Sequence, residues 1–217
     1  MSGKLIVFEG IEGSGKSTQI ARVLSWLQAS ELGQQVPIVA TREPGGTLLG
    51  SKLRQLLLSA SADRELVPCE RAELLLYAAD RAQHVETVLK PQLERGAIVL
   101  CDRFSDSTIA YQGYGRGLSL SEIEQIDRIA TGHLASDLTI WLDVDVELGQ
   151  QRARQRGQLD RIEQAELAFH RRVRQGFVDL AATYPNRIAR VDANRSESAV
   201  DRQVRDTLER AFERWSS

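Results

Sequence analysis

The sequence has few of the features that direct a chain to a membrane, an oxidising compartment or a nucleic acid. Among its 217 residues there are two cysteines, and no apolar stretch approaches the roughly 20 residues of a membrane-spanning helix. Cys69 and Cys101 lack the spacing of a metal or disulfide site, which predicts a reduced, cytoplasmic protein. The formal net charge of −2 offers no overall attraction to nucleic acid or to an anionic membrane, so we expect neither as a partner.

Internal repeats, low-complexity tracts and linkers between separate cores are also lacking. A strand pattern starts at Lys4, so we expect no N-terminal targeting signal. The content of 42% hydrophobic and 27% charged residues is typical of a globular protein, and the length predicts a single domain over residues 1–217. His84, His133 and His170 have no metal-ligand spacing, and we interpret them as surface or helix-capping residues.

Apolar, β-branched runs alternate along the chain with amphipathic helical patterns. The runs predict strands at residues 4–9, 36–41, 97–102, 138–144 and 187–192. Strands that alternate with helices are typical of βαβ units, whose strands are parallel and covered on both faces. The sequence therefore predicts an α/β fold with a five-stranded parallel sheet and helices on both faces.

Several helix ends are predicted by residues with known end preferences. Ser119, with Glu122 three residues later, is expected to begin a helix that Gly132 ends. Pro68 is expected at the first position of another helix, where its missing N–H has no cost. Two more helices are expected, from near Ile162 to Tyr184 and from about Ser198 to Trp215.

Two connections between strands are longer than a simple crossover needs. The second and third strands are separated by about 55 residues, which predicts a helical insertion, about residues 42–95, that could hold a second substrate. The fourth and fifth strands are separated by an arginine-rich segment, about residues 150–162, which we call the lid segment because a mobile cover could attach there.

The most informative motif follows the first strand. Residues 10–17 fit G-x-x-x-x-G-K-S, the P-loop pattern, in which backbone N–H groups surround phosphate oxygens. Lys16 is expected to reach the β- and γ-phosphates, and the Ser17 hydroxyl to bind Mg²⁺. The helix that follows adds the positive end of its dipole. The motif predicts binding of a nucleoside triphosphate through Gly10, Ile11, Glu12, Gly13, Ser14, Gly15, Lys16, Ser17 and Thr18.

Charged residues come directly after two other predicted strands. Asp102 ends the third strand, at the sheet edge where ligands bind in open α/β sheets, and could hold Mg²⁺ through water. Its alternative role is to cap the next turn. Arg103, beside it, could bind an incoming phosphate with two hydrogen bonds. Arg42 and Glu43 follow the second strand and are expected at the same edge.

The lid segment holds four arginines, Arg152, Arg154, Arg156 and Arg161. Arg152 and Arg156 would share one face of a helix, from which they could neutralise charge that develops on the transferred phosphoryl group. The alternatives are a solvated basic helix face or a nucleic-acid patch, and no aromatic residues interleave with these arginines to favour the latter.

These motifs resemble the thymidylate kinase family. The matching stretches are residues 8–18, 41–47, 77–84, 102–113 and 152–163, in the order the family has them. The resemblance implies a P-loop NTPase three-layer fold like that of nucleoside monophosphate kinases. It also implies ATP-dependent phosphorylation of dTMP in dTTP biosynthesis, with Mg²⁺ as cofactor, and a homodimer.

The resemblance also assigns roles to individual residues. Tyr77 would stack on the thymine, Arg81 would bind a base carbonyl, and Thr108 and Gln112 would contact the rest of the base's polar edge. Tyr111 would lie under the sugar. Arg54 and Arg103 would hold the acceptor phosphate, and Glu43 falls in a matching stretch and is assigned to the dTMP site. The proposed catalytic set is Lys16, Arg103, Arg152, Arg156 and Glu12.

The residue at position 12 distinguishes two types of thymidylate kinase, which differ in whether the P-loop or the lid carries the basic residue. The P-loop carries glutamate here, and the lid segment carries the arginines, which is similar to the bacterial type. Two other functions stay open from the residues alone. One is a kinase for another nucleoside monophosphate or a deoxynucleoside. The other is a nucleotide-driven switch or motor. A GTPase switch would carry an N-K-x-D guanine signature, which is absent, and a motor would need a longer chain or an oligomeric ring.

Overall fold

The computed structural model describes residues 3–59, 67–157 and 159–216. Over these ranges five strands form one parallel sheet in the order β2-β3-β1-β4-β5. The strands are β1 (Lys4–Glu9), β2 (Ile38–Arg42), β3 (Ile98–Asp102), β4 (Leu138–Asp143) and β5 (Ile188–Asp192). The α/β fold with a five-stranded parallel sheet is confirmed, and each strand lies within two residues of its predicted position.

The strands are apolar runs because helices cover both faces of the sheet. Along β1, Ile6 and Phe8 belong to one buried cluster and Leu5 and Val7 to the other, as the two-residue period of a strand requires. All four side chains have no exposed surface. In β4, Trp141 stacks on Phe177 of a covering helix, with ring centroids 6.2 Å apart. The carboxyl ends of β1 and β3 meet at the centre of one sheet edge.

The helices of the described ranges account for most of the connecting chain. They are α1 (Lys16–Ala29), α2 (Glu31–Gln35), α3 (Leu48–Leu58), α4 (Glu70–His84), α5 (Lys90–Glu94), α6 (Ser105–Thr108), α7 (Leu120–Thr131), α8 (Val146–Arg156), α9 (Leu167–Thr183) and α10 (Glu197–Ser216). Two π-helical segments continue α4 and α6, over Val85–Leu89 and Ile109–Gly115. No helix described here has both the length and the apolar character needed to cross a membrane.

Most predicted helix ends are confirmed. The Ser119 hydroxyl accepts from the Glu122 N–H, and Gly132 ends α7 with φ of 55°. The start at Ile162 is wrong, since α9 begins at Leu167. The reason is local: the Asp160 carboxylate accepts from the N–H groups of Ile162 and Glu163, both at 2.9 Å, and closes a turn there instead.

The prediction that Pro68 is the first residue of a helix is also wrong, because Cys69 is the N-cap of α4 and the helix begins at Glu70. The insertion predicted for residues 42–95 contains α3, α4, a π-helical segment and α5, and its residues 60–66 lie outside the described ranges. The lid segment consists of the end of α8 and the turn up to Ile162, and its residue 158 also lies outside them.

Candidate active site

A cavity of about 470 Å³ opens at the edge where β1 and β3 end. It is lined by residues from the P-loop, the ends of β2 and β3, the helices α3 and α4, the segment after β3 and the lid segment. Of the residues predicted from the sequence, those that line it are Glu12, Gly13, Gly15, Lys16, Ser17, Thr18, Glu43, Arg54, Tyr77, Arg81, Asp102, Arg103, Thr108, Tyr111, Gln112 and Arg156. Gly10, Ile11, Ser14 and Arg152 do not line it.

The P-loop is built from backbone that only glycine adopts easily. Gly13 and Gly15 have φ of 72° and 94°, and a Cβ on Gly13 would lie 2.0 Å from the carbonyl oxygen of Gly149 in α8. The loop therefore turns tightly against α8, and the first three residues of α1, Lys16 to Thr18, line the cavity.

Lys16 is folded back over this loop. Its ammonium group donates to the carbonyl oxygens of Gly10 at 2.9 Å and Ile11 at 3.2 Å, which places those two residues behind the loop as supports. Burial, with the positive charge of Arg103, lowers the pKa of Lys16 to about 8. The group is therefore a buried cation whose hydrogen-bond partners are two neutral carbonyl oxygens.

Asp102 and Ser17 offer oxygen ligands on one side of the cavity. Asp102 is the last residue of β3, and its Oδ1 is buried with no hydrogen-bond partner among the described residues. The part of the chain that the structure describes contains no group of three or more His, Cys, Asp or Glu side chains that could enclose a metal. One hydroxyl and one carboxylate fit Mg²⁺, which keeps several waters and is usually held by substrate phosphates.

Arg103 lies where the P-loop meets the rest of the cavity. Its φ of 70° is left-handed, an uncommon conformation for a residue with a Cβ, and it turns the side chain back over the sheet edge. The guanidinium donates to Glu12 Oε1 at 2.9 Å, to the Tyr111 hydroxyl at 2.9 Å and to Ser107 Oγ at 3.1 Å. It also lies 4.7 Å from the Tyr111 ring centroid. Arg103 is thus fixed at the junction of the two halves of the site.

Glu12 accepts a further hydrogen bond from the Tyr111 hydroxyl at 2.7 Å. Its other oxygen lies 3.4 Å from Nδ1 of His170, a residue of α9 that is 1% exposed. Burial alone would raise the pKa of Glu12, but the interactions with His170, Arg103 and Lys16 outweigh it and hold that pKa well below its usual range. The interpretation of His170 as a surface or capping residue is therefore wrong, because the ring packs against the P-loop carboxylate.

Arg81 is the centre of the opposite half of the cavity. It is 3% exposed and donates from Nε to Glu43 at 2.8 Å, and from Nη1 to Thr108 and Asp127, both at 2.9 Å. Among the described residues its Nη2 donates to none, so that nitrogen is left for a ligand. Glu43, predicted to contact the acceptor directly, is 4% exposed and uses one oxygen to hold Arg81.

The second oxygen of Glu43 faces His84 Nδ1 at 2.8 Å, and His84 Nε2 lies 2.7 Å from the Thr41 hydroxyl. His84 has no exposed surface, so its interpretation as a surface or capping residue is wrong too. The ring fills a space that depends on Gly46, where a Cβ would lie 2.6 Å from it. Only His133 of the three histidines is exposed.

Tyr77, Arg54 and Gln112 complete the lining on this side. Tyr77 lies one helical turn before Arg81 on α4, and burial raises the pKa of its phenol above the usual value. Arg54 donates to the Pro44 carbonyl at 3.0 Å, and burial, with the charge of Arg42, lowers its pKa. Gln112 donates from Nε2 to Glu73 Oε1 at 3.0 Å.

The four arginines of the lid segment go to different places. Arg152 donates to the Ala193 carbonyl at 2.9 Å, after β5 and outside the cavity lining, and Arg154 is exposed. Arg156 lines the cavity and pairs with Glu163. Arg161 donates to the Leu57 carbonyl at 3.0 Å and pairs with Glu73.

Sequence reasoning missed four residues that hold the lining in place: Glu9, Glu73, Asp127 and His170. Glu9 is fully buried, accepts from the N–H groups of Phe104 and Ser107 at 2.9 and 3.1 Å, and so shapes the turn after β3. Burial raises its pKa to about 7. For Glu73 a signal did exist, because it precedes Tyr77 and Arg81 at four-residue spacing and thus shares their helix face.

Comparison with known proteins supports one family throughout. The family model described as thymidylate kinase matches residues 8–204. The thymidylate kinase of a Cyanothece species is 56% identical, with 99% of this chain and 97% of that protein covered. For the thymidylate kinase of Nostoc punctiforme the identity is 58%, with 96% of both chains covered.

A solved structure agrees with these matches. The crystal structure of thymidylate kinase from Ehrlichia chaffeensis is 35% identical and superposes with a TM-score of 0.77, covering 96% of this chain and 100% of the other. The P-loop fold and the ATP-dependent nucleoside monophosphate kinase activity expected from the motifs are confirmed. With a cavity that joins a P-loop to an arginine-centred pocket, this chain belongs to the thymidylate kinase family.

Proposed function

We propose that this chain transfers the γ-phosphoryl group of ATP to dTMP, with Mg²⁺ bound, and so supplies dTDP for dTTP synthesis. The observation that carries the proposal is the single cavity shared by the P-loop and by Tyr77, Arg81 and Gln112, with Arg103 between them. Phosphoryl transfer asks the protein mainly to align the two substrates and neutralise charge, and one continuous cavity permits that.

The donor half comprises Gly10 to Thr18. The N–H groups of the loop and of the start of α1 face the triphosphate, and Lys16 exchanges its two carbonyl partners for β- and γ-phosphate oxygens. Ser17 and Asp102 would hold Mg²⁺, which when bound offsets the negative charge of the phosphates.

The acceptor half would hold dTMP with its phosphate toward Arg54 and Arg103 and its base toward Tyr77 and Arg81. A phosphate oxygen of dTMP attacks the γ-phosphorus, the bond to the β–γ bridging oxygen breaks, and ADP leaves. Tyr111 lies under the sugar beside Glu12, where its bulk disfavours a 2′-hydroxyl. Thr108, already bound to Arg81, and Gln112 meet the remaining edge of the base.

The insertion and the lid segment would each bind one of the two substrates. The insertion, about residues 42–95, provides Glu43, Arg54, Tyr77 and Arg81 for the acceptor. The lid segment, about residues 150–162, covers the triphosphate and excludes water, which would otherwise hydrolyse ATP. Arg156 is the arginine placed to meet the transferred group, because it lines the cavity; Arg152 would have to leave Ala193 to do so.

The acceptor is tested by ADP release with ATP, Mg²⁺ and each of dTMP, dUMP, UMP, CMP, AMP and GMP. We expect dTMP to have the highest kcat/KM. The alternative function, a kinase for another monophosphate or for a deoxynucleoside, uses the same P-loop. A higher kcat/KM for any other acceptor than for dTMP would establish that alternative instead.

Arg81→Ala sharpens this test. Loss of a charged hydrogen bond to the base is expected to lower kcat/KM for dTMP by about 30-fold, with a smaller effect on acceptors that lack the carbonyl. The matched control is Arg71→Ala, at an exposed position of the same helix, which should leave all acceptors unchanged. Equal losses for every acceptor in Arg81→Ala would contradict its contact with the base.

We also expect a homodimer in the cytoplasm. Leu48 on α3 is 92% exposed, Ile129 on α7 is 83% exposed, and α4, which contacts both helices, exposes 51% of Leu75. This apolar layer would be covered by a second copy. Both cysteines are unpaired, as suits a reducing compartment. Light scattering that gives a monomer mass at micromolar concentration would contradict the dimer.

A further inference from the structure

Glu73 is a buried carboxylate that touches no part of the P-loop and yet connects three segments around the acceptor pocket. It lies on α4 and is 1% exposed. Its Oε1 accepts from Gln112 Nε2 at 3.0 Å, and its Oε2 accepts from Arg116 at 3.4 Å and from Arg161. A carboxylate in such a place is costly to bury, and its three donors offset that cost.

The contact with Gln112 determines which way that carboxamide faces. A carboxylate can only accept hydrogen bonds, so the branch of the amide that meets Glu73 has to be the NH₂ group. The amide oxygen is therefore on the other branch. Gln112 is 3% exposed and lines the cavity, and no described residue donates to its Oε1. The pocket is thereby left with a hydrogen-bond acceptor at this position.

An acceptor here distinguishes between pyrimidines. Thymine and uracil carry an N–H at ring position 3, between two carbonyl groups, whereas cytosine carries a bare nitrogen that itself accepts. An amide oxygen facing that position gains a hydrogen bond from the first two bases and meets a second acceptor in cytosine. A reversed amide would have the opposite preference.

We infer that Glu73 is a positioning residue for acceptor specificity, which fixes the Gln112 carboxamide with its oxygen toward the base and so favours thymine and uracil over cytosine. The inference rests on the proposed function, in which Gln112 faces the base. It assigns the selectivity to a residue that the base never touches.

The two arginines keep Glu73 in place for this role. Arg116 lies 4.9 Å from the Phe169 ring centroid, and Arg161 donates to the Leu57 carbonyl at 3.0 Å, so each guanidinium is anchored independently of Glu73. Arg161 belongs to the lid segment, but its partners lie on α3 and α4. It supports base recognition rather than the transferred phosphate.

The test is the ratio of kcat/KM for dUMP to that for dCMP, since these acceptors differ only at positions 3 and 4 of the ring. In Glu73→Gln the side chain at 73 can both donate and accept, so the Gln112 amide is free to reverse. We expect the ratio to fall by about tenfold, because the hydrogen bond from the N–H at ring position 3 to the Gln112 oxygen no longer favours dUMP. The control is Glu70→Gln, at an exposed position of the same helix, which should leave the ratio unchanged.

Exchange of the two side chains separates orientation from simple destabilisation. In the double variant Glu73→Gln with Gln112→Glu, the carboxylate at 112 can only accept, so an acceptor again faces the base. We expect the ratio to return to within about threefold of the original. An unchanged ratio in Glu73→Gln, or a double variant with no better ratio than the single one, would overturn the inference.

If Glu73→Gln does not fold, as a thermal melt by circular dichroism would reveal, Arg161→Gln replaces it. That variant keeps Glu73 and Gln112 but removes one anchor, and a fall of about threefold is expected. An unchanged ratio there would likewise overturn the inference. Failure of the proposed function is a separate result, because it would appear in the original protein as a preference for an acceptor other than dTMP.

Discussion

The donor and acceptor halves of the cavity are made in different ways. The donor half is mostly backbone: the P-loop and the first turn of α1 supply N–H groups from consecutive residues, and Lys16 rests on two carbonyls of the same loop. The acceptor half is made of side chains from α3, α4 and the segment after β3, and buried partners hold the central ones. Arg81, for example, donates to three side chains, Glu43, Thr108 and Asp127.

This difference separates the residues that do the chemistry from those that set selectivity. A backbone site is rigid once its glycines are in place, and it binds any triphosphate. A side-chain site is only as selective as the contacts that fix each side chain. Changes in the donor half should therefore affect all acceptors equally, and changes in the acceptor half should affect them unequally.

The largest effect is expected for Lys16→Ala. Loss of the ammonium group from the β- and γ-phosphates should lower kcat by about 1000-fold, by the same factor for dTMP and dUMP. The measurement is steady-state ADP release, and Lys52→Ala, at an exposed position of α3, is the control. A loss of kcat that differs between dTMP and dUMP would contradict the expectation that changes in the donor half affect all acceptors equally.

Arg103→Ala tests the junction. Arg103 touches Glu12 of the donor half and Tyr111 of the acceptor half, so its loss should lower kcat by about 100-fold and raise KM for dTMP as well. Arg128→Ala, at an exposed position of α7, is the control. If KM for ATP rose while KM for dTMP stayed constant, Arg103 would belong to the donor half alone.

The pH profile gives a smaller effect, confined to the donor half. Lys16 has a pKa lowered to about 8, so the free enzyme loses this positive charge as the pH rises through that value. We expect kcat/KM for ATP to fall about tenfold per pH unit above pH 8. Lys16→Arg stays charged, and its residual activity should lack this decline. A profile of the original protein that is flat to pH 10 would contradict the lowered pKa.

The smallest effect is expected for His84→Gln, in the acceptor half. The substitution removes the contacts of the His84 ring with Glu43 and Thr41. Their loss should lower the free energy of unfolding by about 1–2 kcal/mol, measured by urea titration. Looser support of Arg81 should reduce kcat/KM for dTMP about threefold and leave KM for ATP unchanged. His133→Gln is the exposed control. A stability equal to that of the original protein would mean that the buried ring does no positioning.

The fold was largely predictable from the sequence because its strands are covered on both faces. Each then appears as a short apolar run between helical patterns, and the positions agree within two residues. The start of α9 was not predictable in this way. Asp160 closes a side-chain turn within a stretch whose apolar spacing continues a helix, and spacing does not reveal such a competing hydrogen bond.

The donor and acceptor halves of the site also differ in how well the sequence predicts them. The P-loop residues are consecutive in the sequence, so their pattern can be recognised directly. Arg81 and Tyr77 were found through the family resemblance. His84 and His170 were misjudged because their partners come from elsewhere: Glu43 is 41 residues from His84, and Glu12 lies on a different element from His170. A contact made only by tertiary folding leaves no local pattern in the sequence.

The left-handed backbone at Arg103 is a strained conformation that the contacts of the side chain keep in place. Holding a residue with a Cβ at φ of 70° costs about 1 kcal/mol, which glycine would recover. Glycine would also remove the hydrogen bonds to Glu12, Tyr111 and Ser107, and the loss of a buried partner charge costs about 3–5 kcal/mol. The strain at position 103 is thus outweighed by the side chain that causes it, so thermostabilising libraries of this chain should leave the residue fixed.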